Sequence, residues 1–308
     1  MGVWRPFLFL RFGGSAYPYP LIGVTALSLE LTGEPPVPPW LITHSYEDHD
    51  AGVLKSGKEA EVFLVERVAA DGSSHLLAHK RYRPRYPKKG ELEALGFSKG
   101  TLYRADAVYQ SGWMLKPRER RALEAGSRFG HELAKNMWPA MEMETLGRAW
   151  RAGASVPFPV EQTEDGILME YIGDRDGAAP RLANAGLSHE QARDARDQLV
   201  KSLRALSAER IVHGDLSAYN MLWWADRLYI IDFPQAVDAF ANPHAPDLLH
   251  RDLLNVHEWF SRMRADFDVE ELFVELVTLL YGGPAADKLK RRQPSGRKIK
   301  HFDTPEGR

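Results

Sequence analysis

Apolar and polar residues alternate from Glu61 to Val65, inside the stretch Val53 to Arg67, and this period of two predicts a β-strand enriched in Val and Phe. Ser56, Gly57 and Lys58 interrupt the pattern just upstream and read as a turn between two strands. Leu76 to Tyr82 predicts another strand, and Ile167 to Gly173 is an apolar strand closed by a glycine. Between them the period becomes helical. Met143, Leu146 and Trp150 recur at i, i+3 and i+7 within Trp138 to Ala152, and Pro157-Phe158-Pro159 ends that helix. Ser188 followed by Gln191 forms a capping box, with Ala192, Ala195, Leu199, Leu203 and Leu206 as the apolar stripe behind it. Leu228 to Asp232 reads as a short strand ending in a carboxylate. Leu249, Leu253, Val256, Phe260 and Met263 then line one helix, and another starts at Asp268 with Glu271 completing its box.

Composition adds bounds. Apolar residues make up 44% and charged residues 27% of 308, ordinary for a soluble globular chain with room for two lobes. A net charge of −2 argues neither for nor against a nucleic-acid partner. The lack of Cys excludes disulfides and thiolate metal sites and suits a reducing cytoplasm. No apolar run approaches the ~18–20 residues of a membrane helix, and Arg5, Arg11 and several Pro and Gly make the N-terminus a poor signal peptide. Residues 1–50 read as a Pro-rich appendage, with a short strand over Val24 to Leu31 and a polyproline spacer over Pro35 to Pro39. Arg83 to Met137 reads as solvated loop with some helix. Residues 287–308 form a basic tail with Lys288, Lys290, Arg291, Arg292, Arg297, Lys298 and Lys300, read as solvated and disordered. A contact with RNA phosphates is the sharper reading, and it predicts salt-dependent binding.

The chemistry gathers between Ile211 and Val237. His213, Asp215 and Asn220 keep the H-x-D-x-x-x-x-N spacing of a kinase catalytic loop, and Asp232 follows at the end of its strand. Such a loop uses one Asp to accept a hydroxyl proton or orient a nucleophile, while an Asn and a second Asp hold Mg²⁺ against phosphates. Upstream, the Ser56-Gly57-Lys58 turn could cover phosphates in place of a Walker loop, although a single Gly also suits an ordinary hairpin. Ala78-His79-Lys80 fits the A-x-K end of a kinase third strand, where Lys pairs with phosphate oxygens and a helical Glu. Glu142 and Glu144 sit roughly 200° apart on their helix, so only one can face Lys80, and periodicity does not choose. Met169 to Tyr171 are candidates for a linker whose backbone binds the adenine edge.

Several blocks together resemble the RIO family of atypical serine/threonine protein kinases, in its bacterial type, over Val53 to Phe260. Ser56-Gly57-Lys58-Glu59-Ala60 is similar to its S/T-G-K-E-A loop, which lacks the usual run of glycines. His213-Gly214-Asp215-Leu216-Ser217-Ala218-Tyr219-Asn220 is similar to H-x-D-L-S-x-Y-N, and Ile231-Asp232-Phe233-Pro234-Gln235 to I-D-F-P-Q. His244-Ala245, Leu249, Arg251-Asp252 and Asn255-Val256 follow its H-A…L…R-D-x-x-N-V pattern.

The resemblance implies an α+β, two-lobed protein-kinase-like fold. Residues 51–173 would form a lobe with a five-stranded antiparallel sheet, and residues 174–286 a mainly helical one. ATP with Mg²⁺ (or Mn²⁺) would be the cofactors. It implies Asp215 as catalytic aspartate, Asn220 and Asp232 as metal ligands, and Lys80 on the phosphates with Glu144 favoured as its partner. Ser56, Gly57 and Lys58 would line the phosphate loop, with Met169, Glu170 and Ile172 at the adenine linker. The γ-phosphoryl would pass to a Ser/Thr hydroxyl of a protein substrate or of the chain itself, or to Asp232 as an acyl-phosphate. Family members mature the small ribosomal subunit, so a pre-ribosome contact through the basic tail is also implied. Ser98, Thr101, Ser111 and Ser127 are weak autophosphorylation candidates, and no helix-turn-helix module is recognisable in the Pro-rich lead. Two alternatives are a small-molecule phosphotransferase of the aminoglycoside or choline kinase type and a slow nucleotide-gated assembly factor. Against the first, the interval from Gly173 to His213 is short and mostly one helix.

Overall fold

The computed structural model describes residues 37–57, 60–82 and 128–282. The strand expected over Val24 to Leu31, Pro35 and Pro36 of the spacer, Lys58, the candidate phosphorylation sites and the basic tail lie outside them. The chain divides after Pro38, and the strands and helices of the fold belong to the unit that starts at Pro39.

β1 (Tyr46–Ser56), β2 (Ala60–Ala69) and β3 (Ser74–Tyr82) form an antiparallel meander. β5 (Gly166–Glu170) pairs with β3, and β4 (Pro159–Gln162) closes the far edge, giving the order β1-β2-β3-β5-β4. The antiparallel sheet of five strands expected from the resemblance is present. It begins earlier than residue 51, however. β1 starts at Tyr46 in the run YEDHDAG, an exposed charged edge whose side chains carry no apolar alternation, so the strand left no periodic trace. Buried Arg67 ties the sheet together: it bonds both carboxylate oxygens of Asp48 at 2.7 Å and Glu161 at 2.8 Å, beneath the Tyr46 ring. These carboxylates hold its pKa even higher than usual against the effect of burial.

Helix α1 (Arg128–Arg151) starts ten residues before Trp138 and runs through Pro139, whose missing N–H costs a rung of the ladder but does not end the helix. Trp150 near its end packs edge-on against Phe158, which in turn meets Trp40.

The second lobe carries the larger core. In α2 (His189–Ala208) the expected stripe is buried, and the Ser188–Gln191 capping box is reciprocal. α3 (Ala245–Arg262) and α4 (Val269–Tyr281) pack beside it, and Asp268 accepts from the Glu271 N–H. Between α2 and α3 lie two small sheets. β6 (Ile211–Val212) pairs with β9 (Val237–Asp238), while β7 (Met221–Trp224) and β8 (Arg227–Ile230) form a hairpin. Its turn places Ala225 and Asp226 at φ 48° and 56°, the twist a two-residue hairpin favours, here without Asn-Gly. β8 stops at Ile230, two residues short of the expected end, because Asp232 has φ 73° and leaves the extended region.

Candidate active site

Lys80 of β3 reaches into the space between the lobes. It is buried, and its Nζ donates to Glu142 Oε1 at 2.8 Å and to Asp232 Oδ1 at 2.7 Å. Burial alone would lower the lysine pKa, but the two carboxylates outweigh it and raise it. Burial likewise works to raise Asp232, and Lys80 overcomes this to hold its carboxyl below the usual range. Glu142 is pushed up by burial, with Asp232 adding like charge.

The helical partner is therefore Glu142, and the expectation of Glu144 is corrected. The two point to opposite sides of α1: Glu142 is buried and Glu144 exposed. Glu142 Oε1 also accepts from the Phe233 N–H at 3.2 Å, so one oxygen links the sheet, α1 and the Asp232 segment. Among the described residues its other oxygen, Oε2, is buried without a hydrogen-bond partner.

The loop from His213 to Asn220 is pinned along its backbone. Asp252, buried on α3, accepts the Gly214 N–H at 2.7 Å and the Leu216 N–H at 3.1 Å, one on each side of Asp215. The Asp215 N–H donates to His213 Nδ1 at 3.3 Å, and Asn220 Nδ2 donates to the Asp215 carbonyl at 2.8 Å and to Oδ2 at 3.0 Å. His213 Nε2 lies 3.1 Å from the Ile231 carbonyl, and burial lowers the ring's pKa. These two contacts define the neutral tautomer protonated on Nε2. Arg251 donates to the Gly214 carbonyl, and Asn255 Nδ2 to the Leu216 carbonyl at 3.4 Å. Thus the Asp215 main chain is fixed while its carboxylate stays exposed.

Gly214 is required by its conformation. At φ 79° a Cβ would stand 2.4 Å from the Gln235 carbonyl oxygen. Gly214→Ala is expected to lower stability by more than about 2 kcal/mol, from left-handed backbone and clash together, as read from urea midpoints.

Asp252 gives a pH signature. Burial pushes its carboxyl up to about 7 despite the N–H donors. With an unfolded value near ~4 the folded state holds the proton between the two values. Its contribution is complete below about 4 and is lost as pH rises to about 7. The stability difference between wild type and Asp252→Asn, measured by urea unfolding across pH, should change over that window and be flat above it.

Where β1 gives way to β2 the Gly57 N–H donates to the Ala60 carbonyl at 3.0 Å, and Ser56 Oγ donates to Glu61 at 3.2 Å. Lys58 is outside the described residues. Glu170 ends β5, and its carboxylate accepts from the Phe158 N–H at 2.9 Å. Ile172 is buried, with its carbonyl accepting from Ala179. Met169 is partly buried against the large core. The structure thus brings Lys80 onto Asp232 and Asn220 onto Asp215, and joins the two pairs through the Ile231 N–H, which bonds the Asn220 carbonyl at 3.0 Å; Ser56 and Gly57 stand at the end of β1. Arg251, Asp252 and Asn255 are visible in the sequence as a pattern, but their hydrogen bonds to the loop are not. A buried Asp on an apolar helix face was the available signal.

A small antiparallel sheet, a lysine–glutamate pair and a pinned H-x-D loop over a helical lobe define a two-lobed, protein-kinase-like fold. The chain matches the RIO domain over residues 109–272, more than half its length. It is 29% identical over 77% of its length to the RIO-type serine/threonine-protein kinase Rio1 of Haloferax volcanii, covering 72% of that protein. It is 32% identical over half its length to Rio1 of Thermoplasma acidophilum, covering 82% of it. Human serine/threonine-protein kinase RIO1 is 33% identical over 57% of the chain, which spans only 32% of that longer protein. The chain belongs to the RIO family of serine/threonine-type kinases. Among the described residues no helix is long and apolar enough to cross a membrane.

Proposed function

We propose that the protein is a Mg²⁺-dependent ATP phosphotransferase that passes the γ-phosphoryl to a Ser/Thr hydroxyl, of a protein or of itself, or to Asp232. The observation that carries this reading is that Lys80 bonds Asp232 while the Asp215–Asn220 loop is joined to the residue before Asp232, the Ile231 N–H donating to the Asn220 carbonyl at 3.0 Å. Lys80 would release Asp232 and contact phosphate oxygens while Glu142 keeps the ammonium in place. The side chains fit a divalent cation. Asn220 directs its amide nitrogen to Asp215, which leaves the amide oxygen as a ligand atom, and Asp232 supplies carboxylate oxygen. Among the described residues no group of three or more His, Asp or Glu is set to hold a metal. Mg²⁺ is usually held by one or two side chains and by substrate phosphates. When bound, the ion would neutralise charge developing on the phosphates.

Asp215 would then orient the acceptor hydroxyl and take its proton, from a main chain that hydrogen bonds keep still. Ser56, Gly57 and Lys58 would cover the phosphates, and the main chain of Met169, Glu170 and Ile172 would border the adenine. The names of the relatives support a serine/threonine acceptor; ribosome assembly rests on the resemblance, an RNA contact on the charge of residues 287–308, and a cytoplasmic location on the lack of Cys. Asp232→Asn tests the metal role: Mg²⁺-dependent tightening of ATP binding, measured by calorimetry, should be lost. Undiminished Mg²⁺ dependence would remove Asp232 from that role.

A further inference from the structure

Two cations outside every recognised motif stand at the same cleft. Lys55 precedes the Ser56-Gly57-Lys58 turn, and its direction is set by an irregularity. β1 and β2 pair Val53 with Phe63 and then Lys55 with Val62, so Leu54 is an extra residue. Such a bulge re-aims the side chains that follow it. Val62 in turn pairs with Lys80. Directly paired residues share a face of a sheet, so Lys55, Val62 and Lys80 lie in one row, with the two lysines about 10 Å apart across two strand spacings. The bulge therefore puts Lys55 on the face that carries the catalytic lysine.

Arg181 comes from the other lobe. The Trp223 N–H bonds the Pro180 carbonyl at 3.1 Å, and the Ala183 N–H bonds the Ala218 carbonyl at 3.0 Å, bracketing Arg181 against the catalytic loop. Its guanidinium donates to the carbonyl of Tyr219, the neighbour of Asn220. A guanidinium has five N–H donors, so most of them remain for a ligand. Among the described residues neither Lys55 nor Arg181 has a carboxylate at ion-pair distance. The Lys55 ammonium is held below its usual pKa, first by loss of water and then by the charge of Arg181, with Lys80 acting the same way and Asp232 opposing. Cations that repel each other across a cleft suit an anion placed between them.

We propose that Lys55 and Arg181 form a clamp from the two lobes on the polyphosphate of the bound nucleotide, additional to Lys80 and the Ser56–Lys58 turn. The clamp rests on the reading that the cleft takes ATP. It makes affinity depend on phosphate charge.

The test is calorimetric titration of the full chain with AMP-PNP and Mg²⁺, and separately with adenosine. The proteins are wild type, Lys55→Gln, Arg181→Gln, the double variant and the conservative Lys55→Arg. Loss of a charge-assisted hydrogen bond should weaken AMP-PNP about tenfold in each Gln variant and more in the double. Adenosine should bind all proteins alike, and Lys55→Arg should retain most of the affinity for AMP-PNP. A double variant that binds AMP-PNP as tightly as wild type overturns the clamp and leaves the ATP reading standing. Equal weakening of adenosine and AMP-PNP also overturns it, because the residues would then shape the cleft without touching phosphate. Wild type that binds neither ligand removes the ATP reading and the clamp with it.

Discussion

Asp215→Ala is expected to slow phosphoryl transfer by about 10²–10⁴-fold, the range removed with a positioned general base or orienting carboxylate, while ATP affinity stays close to that of wild type. The separation follows from how the loop is held. The Asp215 main chain is fixed through Gly214 and Leu216 by Asp252 and through Asn220, and none of these bonds except that to Oδ2 needs the Asp215 side chain. Removing an exposed carboxylate should therefore leave the loop, Asn220, Asp232 and Lys80 in place. Single-turnover rates with saturating ATP, set against calorimetric binding, give the comparison. Loss of binding in step with rate would make Asp215 a ligand residue and leave the proton-accepting role without support.

Glu142→Ala is expected to destabilise the protein by about 1–3 kcal/mol, because the Phe233 N–H loses its acceptor while Lys80 keeps Asp232, and to lower phosphoryl transfer as Lys80 loses its helical partner. Glu142 is 4% exposed and its Oε1 serves both Lys80 and the Phe233 N–H, so no water is at hand to replace it. Glu144→Ala, at an exposed position on the same helix, should change stability by no more than ~0.5 kcal/mol. Urea unfolding of the pair of variants decides it. The reverse order would return Glu144 to the site.

The contrast between these two residues shows how far the sequence could be read. Elements whose pattern is local were legible: the Ser188–Gln191 box, the buried stripe of α2 and the strand carrying Lys80 all announce themselves within a few residues. The spacing of His213, Asp215 and Asn220 was legible for the same reason. Glu142 and Glu144 were not separable, because an amphipathic period places an apolar face but not which acidic residue a distant strand approaches. That contact spans the 62 residues from Lys80 to Glu142. Asp252 lies 38 residues beyond Gly214, and only the fold shows that its carboxylate holds the loop around Asp215. The early start of β1 was hidden because an exposed charged edge has no periodic face to display. Asp232 adopts φ 73°, which no strand pattern announces.

Transfer of the γ-phosphoryl under the direction of Asp215 and Asp232 is read without intermediaries from intact-protein mass after incubation with γ-labelled ATP and Mg²⁺. Wild type should gain phosphate and Asp215→Ala almost none. A label that resists hydroxylamine would sit on Ser or Thr; one that hydroxylamine removes, and that is absent in Asp232→Asn, would be the acyl-phosphate. Equal labelling of Asp215→Ala, or no label with ATP consumed only when a small hydroxylated compound is added, would contradict the assignment of these residues to phosphoryl transfer onto protein.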